Sequence, residues 1–283
     1  MKKVLVLGAK GMAGHVVLNL LPRLGAYDVW GIARNIKETD RLFNLDVKDT
    51  VGLTDIINRQ DFDCIINCIG ILNKDAEDNP EKAIWFNSYF PHFLEAAAKG
   101  TTTKVIHIST DCVFSGKRGG YTENDIKDGY DFYAKSKGLG ELDNPKDLTL
   151  RTSIIGPEIN KNGIGLFNWF MSRDSSDKLK GFTQAFWSGV TTIELTKVMH
   201  AAIEQDISGI IEITQKTKID KHSLLLLFNK IFRNGEMVIT PDPDHKVDKS
   251  MISIRTDFKY TLPDYETMLM EMKDWIDRND YSY

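Results

Sequence analysis

Apolar and polar residues alternate in two distinct ways over the first 150 residues of the chain. Five short, mostly apolar runs predict buried strands, at Lys3–Leu7, Tyr27–Ala33, Asp63–Ile69, Lys104–Ser109 and Leu148–Arg151. Longer stretches with helical spacing separate them, at Gly14–Leu21, Thr50–Arg59, Glu81–Lys99 and Tyr130–Leu142. Strands that are buried on both faces and alternate with helices predict an α/β fold with a doubly wound parallel sheet.

The pattern becomes less regular after Thr152. An apolar helix is predicted at His222–Phe232, a loop at Pro241–Pro243 and a terminal amphipathic helix at Asp264–Arg278. Residues 189–213 are expected to return to the first domain, because Thr192–Leu195 is typical of a helix start. We therefore predict a first domain over residues 1–150 with a return at 189–213, and a small C-terminal α+β lobe over 151–188 and 214–283.

Composition and charge exclude several classes of protein. The 283 residues are 42% apolar and 27% charged, which is typical of an ordered globular chain. The net charge of -4 provides no basic surface for a nucleic acid polymer. The longest aliphatic run, Leu224–Leu227, is far shorter than the ~20 residues of a membrane span, and the opening apolar run is too short for a secretory signal. With three cysteines and no histidine at ligand spacing to them, we expect a cytoplasmic protein without a metal site.

A glycine motif follows the first predicted strand. Gly8, Gly11 and Gly14 have the spacing of a strand–turn–helix whose backbone approaches a pyrophosphate closely. The N-terminus of the helix adds unpaired N–H groups and the positive end of a dipole. Because a strand precedes the motif and a helix follows it, the motif predicts a dinucleotide site, in which we include Lys10 and Met12 from the same loop.

The end of the second predicted strand indicates which dinucleotide binds. An acidic residue there would bind the 2′-hydroxyl of NAD, but the segment Gly31–Arg34 contains none. Arg34 can pair with the 2′-phosphate of NADP, and Lys10 can add a second positive charge. Asp46, beside Val47, can accept a hydrogen bond from the adenine amino group. The sequence therefore predicts NADPH, with NADH as the alternative.

A second group of residues predicts proton transfer. Thr110 and Asp111 lie at the end of a predicted strand, and Tyr133 and Lys137 are four residues apart on a predicted helix, so both face the same way. A tyrosine is a poor acid near neutral pH because its pKa is ~10, and a nearby lysine ammonium lowers that pKa. Such a tyrosine can protonate a carbonyl oxygen as hydride reaches the carbon, while a threonine hydroxyl holds the same oxygen. Thr110, Tyr133 and Lys137 are therefore the predicted catalytic residues.

Longer segments around these motifs carry a resemblance, namely Ser109–Gly116, Tyr121–Asp125, Tyr133–Glu141 and Leu150–Ser153. Together with the glycine motif they resemble the extended short-chain dehydrogenase/reductase superfamily, and within it the dTDP-4-dehydrorhamnose reductases and their sugar-nucleotide relatives. The resemblance covers residues 1–160 approximately and implies a Rossmann-like dinucleotide-binding domain with a small substrate-binding lobe. It also implies NAD(P)H-dependent reduction of the C4 keto group of a nucleotide-linked 4-keto-6-deoxy sugar, in deoxysugar or surface polysaccharide biosynthesis.

Individual residues carry over from that resemblance. Thr110, Tyr133 and Lys137 match the catalytic residues of the family, and Tyr133 and Lys137 are also expected to contact the cofactor. Asn87 matches a position near the cofactor. We also assign Cys68 and Gly70 to the cofactor site.

Two departures from the family leave alternatives open. Cys112 stands where the family has tyrosine, and Asp128–Phe132 lacks the proline that usually precedes the catalytic tyrosine. Related 4,6-dehydratases have glutamate at the position of Cys112, which disfavours dehydration here. A nucleotide-sugar 4-epimerase remains an alternative, although the short C-terminal lobe favours a reductase. A non-catalytic NADP-binding regulatory subunit is a further alternative, against which the retained catalytic residues argue.

Aromatic, amide and hydroxyl side chains in the C-terminal lobe suit a nucleotide base and a sugar. The expected substrate-binding residues are Asp111, Asn168, Trp187, Ser188, Lys249 and Arg255. Of these, Lys249 and Arg255 are expected to meet the substrate's diphosphate. His15, His107 and His222 show no partner pattern, and we expect them to be structural or exposed. A homodimer is left open.

Overall fold

The computed structural model describes residues 1–160, 163–279, 281 and 283. Its strands are β1 (Lys2–Leu7), β2 (Tyr27–Ala33), β3 (Leu42–Asn44), β4 (Cys64–Asn67), β5 (Lys104–Ile108), β6 (Leu148–Arg151), β7 (Ile154–Ile155), β8 (Lys178–Trp187), β9 (Val190–Thr191), β10 (Gly209–Glu212), β11 (Ile219–Asp220) and β12 (Val238–Asp248). Its α-helices are α1 (Gly14–Leu24), α2 (Thr50–Gln60), α3 (Asn73–Asp78), α4 (Pro80–Ala83), α5 (Phe90–Ala97), α6 (Phe132–Leu139), α7 (Leu166–Met171), α8 (Thr192–Glu204), α9 (Lys221–Phe232) and α10 (Tyr265–Arg278). No helix in this described part is both long and apolar enough to cross a membrane.

The central sheet has the strand order β10-β6-β5-β4-β1-β2-β3, and its neighbouring strands are parallel. The chain adds β2 and β3 on one side of β1 and then crosses over to add β4, β5, β6 and β10 on the other. The predicted doubly wound, Rossmann-like α/β fold is thus confirmed. The order reverses between β1 and β4, and the carboxyl ends of these two strands leave the crevice in which such sheets bind their ligands.

Both faces of the central sheet are covered by helices, because its strands are apolar on both sides. Side chains such as Val6 pack with Val17 of α1 and with the apolar face of α8. Side chains such as Leu5 point the opposite way and pack with Leu53 of α2 and with α5. This double burial holds the strand ends rigidly at the crevice.

A smaller sheet in the C-terminal part has the order β11-β8-β12 and packs against α9. Phe167, Phe170, Phe228 and Trp275 form its aromatic core with α7 and α10. The loop predicted at Pro241–Pro243 is wrong, since these residues lie within β12. Proline is tolerated there because β12 is an edge strand whose register against β8 shifts after Asp242.

Two elements from the C-terminal half of the chain pack with the central sheet and its helices. β10 pairs in parallel with β6, and α8 packs against α1. Residues 192–212 therefore lie with the first part of the chain, whereas the smaller sheet is built by β8 before them and by β11 and β12 after them. The bounds of the two predicted domains stay a prediction.

The single helix predicted over Glu81–Lys99 is interrupted. α4 and α5 are joined by a π-helical turn at Ile84–Tyr89. The wider turn directs Asn87 inward, where it is fully buried and exchanges two hydrogen bonds with the backbone of Ile71, at 2.8 and 2.9 Å. Asn87 thereby anchors the loop that follows β4 at the edge of the crevice.

Candidate active site

The glycine motif packs backbone on backbone. Gly8 has a φ of +81°, and a Cβ added to Gly14 would lie 2.1 Å from the Gly8 carbonyl oxygen. The Gly11 N–H donates to that same oxygen at 2.8 Å. Because no side chain intervenes, α1 begins directly above the end of β1 and its N-terminus opens into the crevice.

The crevice is a cavity of about 540 Å³ at the carboxyl ends of β1, β2 and β4. Eight of the predicted cofactor-binding residues line it: Gly8, Lys10, Gly11, Arg34, Asp46, Val47, Cys68 and Gly70. The side chain of Arg34 is 71% exposed, and its guanidinium lies 3.5 Å from Asp46 at the rim. The structure thus brings the predicted phosphate-binding groups and the predicted adenine-binding groups into one cleft.

The remaining cofactor candidates lie next to this cleft. Met12 is directed toward the C-terminal part, where its Sδ would lie 3.5 Å from a Cβ on Gly165. Gly70 lies between Asn87 and Lys137, since a Cβ built on it would be 3.6 Å from the Asn87 Oδ1 and 4.0 Å from the Lys137 Nζ. Asn87 therefore acts on the cleft by holding its wall.

Thr110 and Tyr133 converge at one end of the cleft. Both are buried, and the Thr110 hydroxyl is close enough to the phenol of Tyr133 to lower its pKa. Tyr133 lies in the first turn of α6, which Asp131 caps by accepting a hydrogen bond from the Ala134 N–H at 2.7 Å. Thr110 accepts a hydrogen bond from the Cys112 N–H at 3.1 Å, which fixes its hydroxyl beyond the end of β5.

Lys137 follows Tyr133 by one helical turn and is buried behind it. Its Nζ donates to the Ile108 carbonyl at 2.6 Å and lies 3.1 Å from the Nε2 of His107. Burial lowers the pKa of Lys137 to about 8, an effect that the charge of Glu141 partly opposes. The lysine is therefore held by backbone and imidazole groups.

Burial also decides the protonation of Tyr133. It raises the pKa of the phenol, and the nearby Cys112 and Asp111 raise it further, whereas the hydrogen bond with Thr110 lowers it. We expected Lys137 to lower the pKa of Tyr133, but in the structure burial outweighs the lowering influences. The phenol is consequently protonated across the physiological pH range, as a proton donor must be.

Two lysines of the C-terminal part reach the same end of the cleft. Lys221 opens α9 and Lys249 follows β12, and both act electrostatically on the buried carboxyl group of Asp111. Lys249 also acts on the thiol of Cys112. Burial raises the pKa of that thiol to about 11, so it is protonated at neutral pH. Sequence reasoning predicted Lys249 and missed Lys221, since only the packing of the C-terminal part brings Lys221 here.

Trp187 and Ser188, two further expected substrate-binding residues, are engaged in contacts within the C-terminal part. Trp187 is buried against Tyr265, with the Lys221 ammonium 5.7 Å from its ring centroid. The Ser188 hydroxyl accepts a hydrogen bond from the Met251 N–H at 3.1 Å and another from Thr214 at 2.8 Å. Both residues therefore support the packing beneath the two lysines.

Asn168 and Arg255 lie in other places. Asn168 donates to the Gly163 carbonyl and lines a separate cavity of about 610 Å³ beside α10. The guanidinium of Arg255 is engaged by Asp257 and by the carbonyl groups of Ser208 and Ile210, at distances of 2.5 to 3.0 Å. These contacts use four of the five N–H groups of Arg255, and its assignment to a diphosphate stays a prediction.

His107 is the clearest residue that the sequence analysis missed. It is fully buried on β5, directly opposite Asn67 in the register of β4 and β5. Its burial fits a strand that is buried on both faces, but its contact with Lys137 depends on tertiary packing. No group of three or more His, Cys, Asp or Glu side chains among the described residues could hold a metal ion.

Comparisons with known proteins agree with this architecture. The chain is 34% identical over 158 residues to the probable low-salt glycan biosynthesis reductase Agl14 of Haloferax volcanii, covering 53% of this chain and 52% of the relative. It is 33% identical over 168 residues to the dTDP-4-dehydrorhamnose reductase of Aggregatibacter actinomycetemcomitans, covering 57% and 54%. This chain thus spans about half the length of these curated relatives.

A solved structure and a family model extend the likeness to most of the chain. The crystal structure of dTDP-4-dehydrorhamnose reductase from Bacillus anthracis, in complex with NADP, covers 97% of this chain and 99% of its own. Its TM-score is 0.82 at 20% identity, which shows the shared fold. The family model of the RmlD substrate binding domain matches residues 1–216. The sequence resemblance is confirmed, and the chain belongs to the RmlD substrate binding domain family.

Proposed function

We propose that this protein is an NADPH-dependent reductase of the C4 keto group of a nucleotide-linked 4-keto-6-deoxy sugar. The product would enter deoxysugar or surface polysaccharide biosynthesis. The observation that carries the proposal is the convergence of the buried Thr110 and Tyr133 side chains at the end of a dinucleotide cleft, with Lys137 one helical turn behind the phenol.

The cleft fits NADPH in shape and in chemistry. The backbone contact between Gly8 and Gly14 leaves the N-terminus of α1 open to a pyrophosphate. The exposed Arg34 and the adjacent Lys10 offer positive charge to a 2′-phosphate, and Asp46 offers an acceptor to the adenine. The complex of the Bacillus anthracis reductase with NADP supports this assignment. When bound, NADPH supplies the hydride.

The residues of the chain then have distinct tasks. Thr110 and Tyr133 hold the carbonyl oxygen of the substrate between their hydroxyl groups, which polarises the carbonyl bond. Tyr133 donates its proton to that oxygen as the carbon is reduced, and its raised pKa keeps the proton available until then. Lys137 binds the ribose next to the nicotinamide and supports Tyr133 from behind.

The lysine pair supports an anionic substrate. Lys221 and Lys249 stand opposite one buried carboxyl group, that of Asp111, so the rim of the site carries an excess of positive charge. A nucleotide sugar brings a diphosphate with at least one charge on each phosphate. We assign Lys249 and Lys221 to this diphosphate.

The state of Cys112 supports reduction over dehydration. Elimination of water needs a base at this strand end, but the Cys112 thiol is protonated near neutral pH because burial raises its pKa to about 11. A reductase also differs from a 4-epimerase in a measurable way. It consumes one NADPH for each product, whereas an epimerase returns the cofactor unchanged.

The test is NADPH consumption with dTDP- and UDP-linked 4-keto-6-deoxy sugars. We expect turnover in the wild type and a fall in kcat of about 10²- to 10⁴-fold in Tyr133→Phe, with the Kd for NADPH unchanged. Tyr130→Phe is the matched control, since Tyr130 is 73% exposed three residues earlier. Full activity of Tyr133→Phe, or product formed without net NADPH consumption, would contradict the proposal.

A further inference from the structure

A buried carboxylate group joins the two elements that carry Thr110 and Tyr133. Glu141 follows α6 by two residues, and its side chain is only 1% exposed. Its Oε1 accepts a hydrogen bond from the Ser109 hydroxyl at 2.7 Å. Ser109 directly precedes Thr110, whereas Tyr133 lies in the first turn of α6. The carboxylate therefore connects the strand end that carries one hydroxyl group with the helix that carries the other.

Arg151 holds this carboxylate in a fixed plane. The Arg151 Nε donates to the Oε1 of Glu141 and the Nη2 donates to the Oε2, both at 2.8 Å. Such a bidentate pair fixes the orientation of the carboxylate as well as its distance. Arg151 belongs to β6, the neighbour of β5 in the central sheet, and its Nη1 donates to Glu212 of β10 at 3.0 Å. The direction of the Ser109 hydroxyl is thus set by a guanidinium group that the sheet itself holds.

The charges of this cluster are balanced by one ionised carboxylate. Burial raises the pKa of Glu141, but the hydrogen bonds and the charge of Arg151 outweigh burial, so the pKa lies below its ordinary value. Glu212 receives a single hydrogen bond from Arg151, and burial raises its pKa to about 8. Glu141 therefore carries the charge that neutralises Arg151, and Glu212 is mostly protonated at neutral pH.

The helix transmits the position of Glu141 to the phenol. The C-terminal end of α6 packs against backbone, because a Cβ added to Gly140 would lie 1.8 Å from the Asn87 carbonyl oxygen. The residues from Tyr133 to Glu141 form one helix and its cap, so they are displaced together. A shift of the carboxylate relative to Ser109 consequently changes the separation of the two elements.

We propose that Glu141 and Ser109 are positioning residues, which set the separation of the Thr110 and Tyr133 hydroxyl groups for proton donation to the carbonyl oxygen. Neither residue contacts the reacting atoms in this role. Both hydroxyl groups must reach one oxygen atom, and a small displacement weakens both contacts. The inference rests on the proposed function, because it assigns a task within that reaction.

Glu141 also acts on the site through its charge, which separates two kinds of test. Burial lowers the pKa of Lys137 to about 8, and the charge of Glu141, one helical turn later, opposes this effect. Glu141 thus favours the ammonium form of Lys137 at neutral pH. The Ser109 hydroxyl carries no charge, so a substitution at Ser109 tests the positioning alone.

The first test is Ser109→Ala in the full chain. We expect kcat for NADPH-dependent reduction of the nucleotide sugar to fall about tenfold or more, with the KM for the sugar and the Kd for NADPH unchanged. The stoichiometry of NADPH binding gives the folded fraction to which kcat is referred. Thr103→Val is the matched control, since it removes a buried hydroxyl that donates to the Phe62 carbonyl at 2.7 Å, at the other end of β5. It should shift the midpoint of urea unfolding to a similar extent and leave kcat unchanged.

The second test asks whether Ser109 acts through Glu141. Glu141→Ala should lower kcat at least as much as Ser109→Ala, and the double variant should be no slower than Glu141→Ala, because the serine then has no carboxylate to bind. Arg151 keeps Glu212 as its partner, and Glu212 ionises more readily without the charge of Glu141 nearby. If Glu141→Ala does not fold, Ser109→Ala and its control decide alone.

The outcomes distinguish this inference from the proposed function. If the wild type shows no NADPH-dependent turnover, the proposed function is wrong and the positioning role falls with it. If the wild type turns over and Ser109→Ala keeps the full kcat, only the positioning role is overturned. An equal fall of kcat in Thr103→Val, or multiplied losses in the double variant, overturns it as well.

Discussion

The cofactor cleft and the C-terminal rim position their functional groups in different ways. In the cleft, the backbone does most of the positioning, because Gly8 and Gly14 are in direct contact and Thr110 follows a strand buried on both faces. At the rim, Lys221 and Lys249 reach the site with long side chains, one from the first residue of a helix and one from the segment after an edge strand.

This difference separates two kinds of task. Proton and hydride transfer require reacting atoms within a few tenths of an ångström, which rigid backbone positioning provides. Recognition of a charged group tolerates looser geometry, because Coulomb attraction falls slowly with distance. We therefore expect substitutions in the cleft to affect folding, cofactor affinity or kcat strongly, and substitutions at the rim to affect KM more mildly.

The largest effect is expected from Gly14→Ala. The new Cβ would lie 2.1 Å from the Gly8 carbonyl oxygen, a backbone atom that cannot rotate away. We expect the free energy of unfolding, measured by urea denaturation, to fall by about 3 kcal/mol or more and NADPH binding to be lost. Gly100→Ala is the control, because no atom lies within 4 Å of its added Cβ, so only about 1 kcal/mol of backbone strain is expected from its positive φ of +78°. Equal losses of unfolding free energy in the two variants would show that the backbone contact between Gly8 and Gly14 does not set the glycine loop apart from an ordinary turn.

The same contrast explains how far the sequence could predict the site. The glycine loop and the Tyr133–Lys137 pair are local patterns, with spacings of three and four residues, so their geometry follows from one turn or one helix. The pairing of Asn67 with His107 depends on the register between β4 and β5, which lie forty residues apart in the chain. No local pattern carries that register.

The C-terminal part was harder to predict for the same physical reason. Two donors of Arg255 are used by the carbonyl groups of Ser208 and Ile210 around the start of β10, a partner that only the folded chain brings near. The Pro241–Pro243 segment has the composition of a loop, yet it forms an edge strand because β8 supplies hydrogen bonds on one side. Lys221 has no distinguishing neighbours in sequence, and its role depends on where α9 begins.

Within the cleft, Thr110→Val tests whether the hydroxyl acts in the reaction. Valine keeps the shape of the side chain but removes the hydroxyl that faces the phenol of Tyr133. We expect kcat for NADPH-dependent reduction to fall about 10²-fold, with the Kd for NADPH unchanged. Thr110→Ser keeps the hydroxyl and should retain most of the activity. Wild-type turnover in Thr110→Val would show that Thr110 is not a catalytic residue.

Arg34 belongs to the cleft but is exposed like the rim lysines. Its substitution therefore tests whether an exposed residue of the cleft has a mild effect as well. We expect Arg34→Ala to weaken NADPH binding about tenfold, because one charge-assisted contact with the 2′-phosphate is lost in a solvated setting. NADH binding, measured by the same fluorescence titration, should not change. Arg41→Ala removes an arginine that is paired with Asp28 at 2.5 Å and should alter neither affinity. Equal weakening for both cofactors would show that Arg34 does not read the 2′-phosphate.

The smallest effects are expected at the rim. Lys221→Met and Lys249→Met keep the length of the side chain and remove its charge, so each should raise the KM for the nucleotide sugar about three- to tenfold with little change in kcat. The increase should shrink at high ionic strength, because partly exposed charges are screened. Lys230→Met, on the same helix as Lys221 and paired with Glu266, is the control and should have no effect.

Competitive inhibition identifies which part of the substrate the two lysines contact. If they bind the diphosphate, the inhibition constant of the free nucleoside diphosphate rises in each variant by the same factor as KM, whereas that of the nucleoside stays constant. If the diphosphate inhibits the variants as well as the wild type, the lysines contact the sugar. A fall in kcat comparable to that of Thr110→Val would show that the rim is as rigidly coupled to the chemistry as the cleft, and the distinction between the two regions would not hold.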